Sequence, residues 1–153
     1  KDCAAVAEYG PGTGAITPHI VEALGPSTTF FAIERNERLA EVFRRRFPAV
    51  KLFEDDAANV GRIMGEVRVP RLDVVVSGIP WLNIPHAAAE RILKATVSAL
   101  KPGGVMTQLT YSLDGLPAAR KVQDLMAKHF RDVRVVKRVW RNLPPAFVYH
   151  CHK

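Results

Sequence analysis

The chain has little cysteine, fewer acids than bases and no long apolar run. Its two cysteines, Cys3 and Cys151, lie in apolar stretches far apart in the sequence. So few thiols exclude a disulfide-stapled scaffold, and buried free thiols in a reducing compartment are expected. No histidine and cysteine spacing suits a metal, so no metal site is expected. No apolar run approaches the length of a bilayer span, and no signal-peptide pattern precedes the first apolar stretch. A cytoplasmic protein without a transmembrane segment is the expectation, with peripheral attachment to the inner face of the membrane left open.

With 48% hydrophobic and 24% charged residues, the composition excludes a disordered or fibrous chain. Length points to one domain over residues 1–153, large enough for a sizeable core. Acids number 15 against 22 lysines and arginines, a net charge of +7. That balance favours an anionic partner, RNA or an acidic phospholipid surface, over the plainer reading of a generally basic enzyme.

The stretch Val6-Ala7-Glu8-Tyr9-Gly10-Pro11-Gly12-Thr13-Gly14 organises the rest. The apolar run Cys3 to Ala7 reads as a buried strand, and it meets an acid and alternate glycines before an apolar-periodic segment starts at Ala15. A strand, a tight turn and a helix follow from that order. Glycine at 10, 12 and 14 lets the backbone turn sharply and lets a ligand lie against it. A glycine triplet can also be only a turn, but two acidic stretches support a cofactor loop. Glu34 ends the next strand, near the offset of about twenty residues at which dinucleotide folds place an acid on a ribose. Glu54-Asp55-Asp56-Ala57 follows a third strand. Carboxylates around the cleft disfavour an anionic pyrophosphate and suit S-adenosylmethionine, which carries a sulfonium and an ammonium and offers hydroxyl and amine donors.

Further along, Ile16, Ile20, Val21 and Leu24 form a helical stripe, with Thr17 and Pro18 as cap and first-turn proline. Thr28 to Ile33 reads as a strand, and Asn36 to Phe47 as a helix with Leu39, Val42, Phe43 and Phe47 inward. Arg44, Arg45 and Arg46 fan around that helix as a solvated face. Val50 to Phe53 is a third strand, Ala57 to Val67 a helix with Ile63 and Met64 inward, and Leu72 to Val76 the central strand. His86 to Leu100 is a long helix closed by Lys101-Pro102-Gly103-Gly104, Val105 to Thr110 a fifth strand, and Leu116 to Phe130 a helix. Val133 to Val139 and Ala146 to Cys151 leave no room for a helix between them and predict an antiparallel hairpin. There are no repeats and no linker. The expected fold is α/β, a Rossmann-like doubly wound and mostly parallel seven-stranded sheet with a C-terminal antiparallel hairpin.

This order resembles the class I S-adenosylmethionine-dependent methyltransferases over essentially the whole chain. The resemblance implies that Gly10, Gly12 and Gly14 wrap the methionine part of the cofactor and that Glu8 serves its ammonium through water. It also implies that Glu34 takes the ribose hydroxyls and Asp56 the adenine amine, with Asp55 the alternative. Arg35 and Ala57, beside Glu34 and Asp56, join the cofactor set. The product is S-adenosylhomocysteine. Helices that commonly precede the first strand in this family are expected to be missing.

In nucleic-acid and protein amine methylases of this fold, the fourth strand often ends in Asn or Asp, then Pro-Pro or Leu-Pro, then an aromatic residue. This chain reads Ser77-Gly78-Ile79-Pro80-Trp81, which keeps the aromatic but cuts the side-chain acceptor to a hydroxyl. That is the chief departure from the ribosomal RNA adenine dimethylases it otherwise resembles. Three elements in order are similar to bacterial phospholipid N-methyltransferases: Ser77 to Pro80, Gln108-Leu109-Thr110-Tyr111-Ser112, and Asn142-Leu143-Pro144-Pro145-Ala146. Ser77, Pro80, Trp81 and Tyr111 are therefore the expected catalytic-site residues, with Ser77 also beside the cofactor. The implied reaction is in-line displacement by a neutral amine, most readily that of phosphatidylethanolamine or a related headgroup. Glu8, Tyr111 and His86 are the conceivable proton acceptors. Arg131, Arg134, Lys137, Arg138 and Arg141, with Trp140, gather on the hairpin, with Arg134 and Arg138 on one strand face. Such a rim can meet lipid or RNA phosphates. An RNA adenine methylase, a small-molecule methyltransferase and a cofactor-binding module without turnover remain open.

Overall fold

The computed structural model describes residues 3–111, 117–139 and 146–153. Strands and helices alternate: β1 (Ala5–Tyr9), α1 (Thr17–Ala23), β2 (Thr29–Ile33), α2 (Glu37–Arg46), β3 (Lys51–Phe53), α3 (Val60–Glu66), β4 (Leu72–Ser77), α4 (His86–Ala99), β5 (Leu100–Tyr111) and α5 (Pro117–Ala127). The chain closes with β6 (Asp132–Val139) and β7 (Ala146–His152), and short 3-10 turns, Ala57–Asn59 and Trp81–Asn83, lead into α3 and α4. The sheet order is β3-β2-β1-β4-β5-β7-β6. β1 to β5 run parallel, and β7 lies antiparallel between β5 and β6. This is the expected doubly wound sheet with its terminal hairpin.

β1 is buried at every position, as a central parallel strand covered on both faces must be. Asp73 interrupts the apolar run of β4, and the structure uses it to anchor β1. One carboxylate oxygen accepts the backbone N–H groups of Ala4 and Ala5 at 2.8 and 2.9 Å, and the other pairs with Lys101. Burial pushes this carboxyl up, but the bonds from Lys101 and the two amides outweigh it and hold it below the usual range.

α1 begins differently from expectation. Ile16 is its N-cap without a side-chain bond, and Thr17 lies inside the first turn, fully buried. α2 starts on an Asn36 side-chain cap at 3.2 Å to the Leu39 amide and ends on Arg44, Arg45 and Arg46, which complement the helix dipole. Val21 and Val42, expected inward, are exposed. The Lys101–Gly104 segment falls within β5 instead of a loop: Leu100 pairs with Leu72 and Val105 with Val74, and the register shift between those pairs absorbs the four residues, with Gly103 at a φ of 73°.

The hairpin carries a second irregularity. Val135 pairs with Tyr149 and Lys137 with Val148, so β6 has one extra residue there. That bulge reverses the alternation beyond it, and Arg134 and Arg138 no longer share a face: Arg134 stands opposite His150, Arg138 opposite Phe147. Trp140, Arg141 and the Asn142 to Pro145 element lie outside the described residues. Cys3 and Cys151 are both free, and burial pushes the Cys151 thiol up to about 12.

Candidate active site

β1 and β4 are neighbours whose onward connections leave toward opposite edges of the sheet, the place where open α/β sheets put a ligand. A cavity of about 500 Å³ opens there, at the C-terminal ends of the strands. Gly10, Gly12, Glu34, Arg35, Asp56, Ala57 and Pro80 all line it. Gly14, Glu8, Ser77 and Trp81 do not, and each has another placement.

The glycine loop is held in left-handed backbone, with φ of 61°, 59° and 83° at Gly10, Gly12 and Gly14. The three glycines answer different demands. A Cβ on Gly12 would meet nothing within 4 Å, so that position borders open space where a ligand can lie. A Cβ on Gly14 would fall 2.0 Å from the Phe47 ring, so there glycine serves the packing of α2 against the loop. The Gly10 amide donates to the Ile33 carbonyl at 2.9 Å and the Gly78 amide to the Tyr9 carbonyl at 2.8 Å, tying the loop to both neighbouring strand ends.

Glu34 is nearly buried, and each oxygen accepts one backbone N–H, from Gly12 at 3.0 Å and Asn36 at 2.8 Å. A carboxylate has about four acceptor sites, so each oxygen retains capacity for one further donor. Asp55 and Asp56 separate by their partners. Asp55 accepts from Asn59 and the Asp56 amide and pairs with Arg62; the Asn59 bond leads the effects that hold its carboxyl below the usual range. Asp56 caps the 3-10 turn through the Ala58 amide at 2.8 Å, and its second oxygen has Arg91 at 3.4 Å.

Behind the loop, Glu8 is 1% exposed, and burial raises its carboxyl to about 7 against the lowering effect of the Thr17 hydroxyl, which donates to it at 2.8 Å. Its other oxygen has no hydrogen-bond partner among the described residues. A buried, half-satisfied carboxylate is costly unless a cation or water reaches it.

At the end of β4 it is Gly78, not Ser77, that lines the cavity. Ser77 is fully buried, its hydroxyl accepting from the Ile79 amide at 3.4 Å. Counting back from the aromatic Trp81, the position of an Asn in the amine-methylase pattern falls on Gly78, which does line the cavity. A Cβ there would stand 2.9 Å from the Gly10 carbonyl oxygen. Trp81 is 5% exposed, and its indole N–H donates to Gln108. Gln108 is not itself among the expected site residues; its place at the head of the Gln108 to Ser112 element was the available signal. Tyr111 pairs with Ala146 at the end of β5, and its side chain lies outside the described part. His86 is exposed at the start of α4, near Glu90.

Residues 6–104 match the family described as methyltransferase domain. The chain is 30% identical over 149 residues to the ornithine lipid N-methyltransferase of Singulisphaera acidiphila, covering 95% of this chain and 74% of that protein. It belongs to the class I S-adenosylmethionine-dependent methyltransferases. A shorter stretch of 55 residues is 44% identical to ribosomal RNA small subunit methyltransferase A of Prosthecochloris aestuarii, 36% of this chain and 20% of that one. In fold, it is similar to the precorrin-6y C5,15-methyltransferase from Geobacter metallireducens, with a TM-score of 0.71 at 21% identity over 100% of this chain and 82% of the other.

S-adenosylmethionine is thus the methyltransferase's cofactor and S-adenosylhomocysteine its product. The residues present fit it: an unpartnered buried carboxylate oxygen on Glu8, spare acceptor capacity on Glu34 and Asp56, and open space at Gly12. Among the described residues, no group of His, Cys, Asp or Glu is placed to hold a metal ion, and no helix is long and apolar enough to cross a membrane.

Proposed function

We propose that this methyltransferase methylates the amine nitrogen of a membrane aminolipid, phosphatidylethanolamine or an ornithine lipid. The reading rests on Gly78. Because a side chain there would collide with the Gly10 carbonyl, the end of β4 offers the incoming nitrogen backbone and apolar walls but no amide or carboxylate. A planar exocyclic base amine depends on such a side chain for alignment, whereas a flexible primary amine can be aligned by the lipid that carries it. The ornithine lipid N-methyltransferase relative supports the same class of acceptor.

The cofactor supplies an electrophilic methyl group. Glu34 and Asp56 would accept from its ribose hydroxyls and adenine amine, Glu8 would offset its positive charge, and Gly10 and Gly12 would let it approach the backbone. Pro80 and Ile79 wall the acceptor side and exclude water, and no dedicated acid or base is required once the amine is neutral.

The test mixes the protein with methyl-labelled S-adenosylmethionine, vesicles containing phosphatidylethanolamine and ornithine lipid, and unmodified ribosomal RNA, then counts label after organic extraction. Label in the lipid phase is expected. Label in RNA, or in neither phase, overturns the proposal.

A further inference from the structure

Gln108 is fully buried on β5, in register with Ser77 of β4 on one side and Tyr149 of β7 on the other. Its amide reaches across to the turn that follows β4. The oxygen accepts the Trp81 indole N–H, while the nitrogen donates to the Ile79 carbonyl at 3.1 Å and to its own neighbour, Leu109. The Ile79 carbonyl also accepts the Trp81 backbone N–H at 3.0 Å, so both of its lone pairs are used. The opposite amide orientation would aim an oxygen at two carbonyls and a nitrogen at an N–H, so the network has one consistent arrangement. Burying an amide where Met or Leu would pack costs free energy unless its bonds are made. Here both amide N–H groups and the oxygen are engaged, two of the three bonds going to the Ile79–Trp81 turn and one to Leu109.

That turn is a partition. On one side Ile79, Pro80 and Ile84 line the cofactor cavity. On the other, Trp81, Leu82 and Ile84 line a second cavity of about 380 Å³, closed by α4 and α5. We propose that Gln108 is the positioning residue of the acceptor site: it fixes the Trp81 ring and holds the Ile79 carbonyl in place beside it. The proposal rests on the reading above that the acceptor nitrogen arrives beside Pro80, but the state of Trp81 can be measured without any acceptor.

The experiment uses a Trp140→Phe background, which leaves Trp81 as the lone indole, since the chain has two tryptophans. Gln108→Met removes the bonds while conserving volume. Expected results are a red-shifted emission with several-fold faster acrylamide quenching, S-adenosylhomocysteine affinity within about twofold of the parent, and an acceptor KM raised about tenfold with a smaller change in kcat. Gln108→Glu adds a readout that packing alone would not give. Its protonated carboxyl can replace the amide, with O–H toward Ile79 and C=O toward the indole, whereas its carboxylate repels the Ile79 and Leu109 carbonyls. Emission matching the parent at pH 5 and shifting reversibly by pH 9 is expected. Unchanged emission in Gln108→Met, a pH-independent Gln108→Glu, or loss of folding in both variants overturns the proposal. If the parent methylates no lipid, the proposed function fails while the indole result still decides whether Gln108 positions Trp81.

Discussion

Glu8 of β1 and Gly14 of the glycine loop act from behind the cavity lining, one through charge and the other through packing. Glu8 has its carboxyl raised from 4.5 to about 7 by burial. A raised acid favours the folded state most below its unfolded value, and that contribution, roughly 3 kcal/mol, is lost as pH rises through 7. A ligand that brings an ammonium to Glu8, as the amino-acid end of S-adenosylhomocysteine would, reverses the preference, because it is best served by the ionised form. S-adenosylhomocysteine affinity should therefore rise between pH 6 and pH 8, with proton release on binding, and Glu8→Gln should flatten both; calorimetry in buffers of different ionisation enthalpy reads them. Gly14 is constrained by its φ of 83° and by the Phe47 ring. Gly14→Ala should lower the unfolding free energy by about 2 kcal/mol or more, from strain and overlap together. Adding Phe47→Ala should recover the overlap part but not the strain, so the double-mutant cycle would show a coupling of about 1 kcal/mol. Periodicity marks Phe47 as core, but nothing local in the sequence says that its ring occupies the space of a glycine side chain 33 positions earlier.

At the scale of elements, β1 is positioned by a residue from β4. Asp73 closes the otherwise open amides of Ala4 and Ala5 and pairs with Lys101 at the start of β5, linking three adjacent strands. Asp73→Ala leaves those amides unpaired and should destabilise by about 2–4 kcal/mol in denaturant titration. Since the Asp73 carboxyl is held below its usual range, its contribution is present above the unfolded pKa and is lost as pH falls through the folded one. The parent should lose more stability than Asp73→Ala on acidification from pH 6. Element types and order were readable from periodicity and turn residues. The boundaries moved where tertiary contacts outweighed local signals: Thr17 gives its hydroxyl to Glu8 instead of a cap, and β5 starts early because Leu100 already pairs with Leu72 of β4, with Lys101–Gly104 as the irregularity before Val105 pairs with Val74. The β6 bulge has no sequence marker, yet it decides which basic residues can act together.

For the whole molecule, a net charge of +7 supplies a sequence-independent attraction to anionic surfaces. Vesicles rich in phosphatidylglycerol should retain the protein in co-sedimentation at low salt and release it near 1 M salt, where the Debye length is about 3 Å; phosphatidylcholine vesicles should not retain it. Salt-insensitive retention would point instead to apolar insertion. Composition and pattern alone determined the class of fold, the glycine loop and the acids at the ends of successive strands, because each is written locally in periods, turns and charges. They also pointed to S-adenosylmethionine, since repulsion between carboxylates and a pyrophosphate needs no coordinates. Only the tertiary structure decided that Gly78 and not Ser77 lines the cleft, that Asp55 is engaged by Arg62 while Asp56 caps the turn at Ala58 with Arg91 near its second oxygen, and that Gln108 holds the Ile79–Trp81 turn. These follow from contacts between segments remote in sequence, where the space left by one strand end determines what the next can carry.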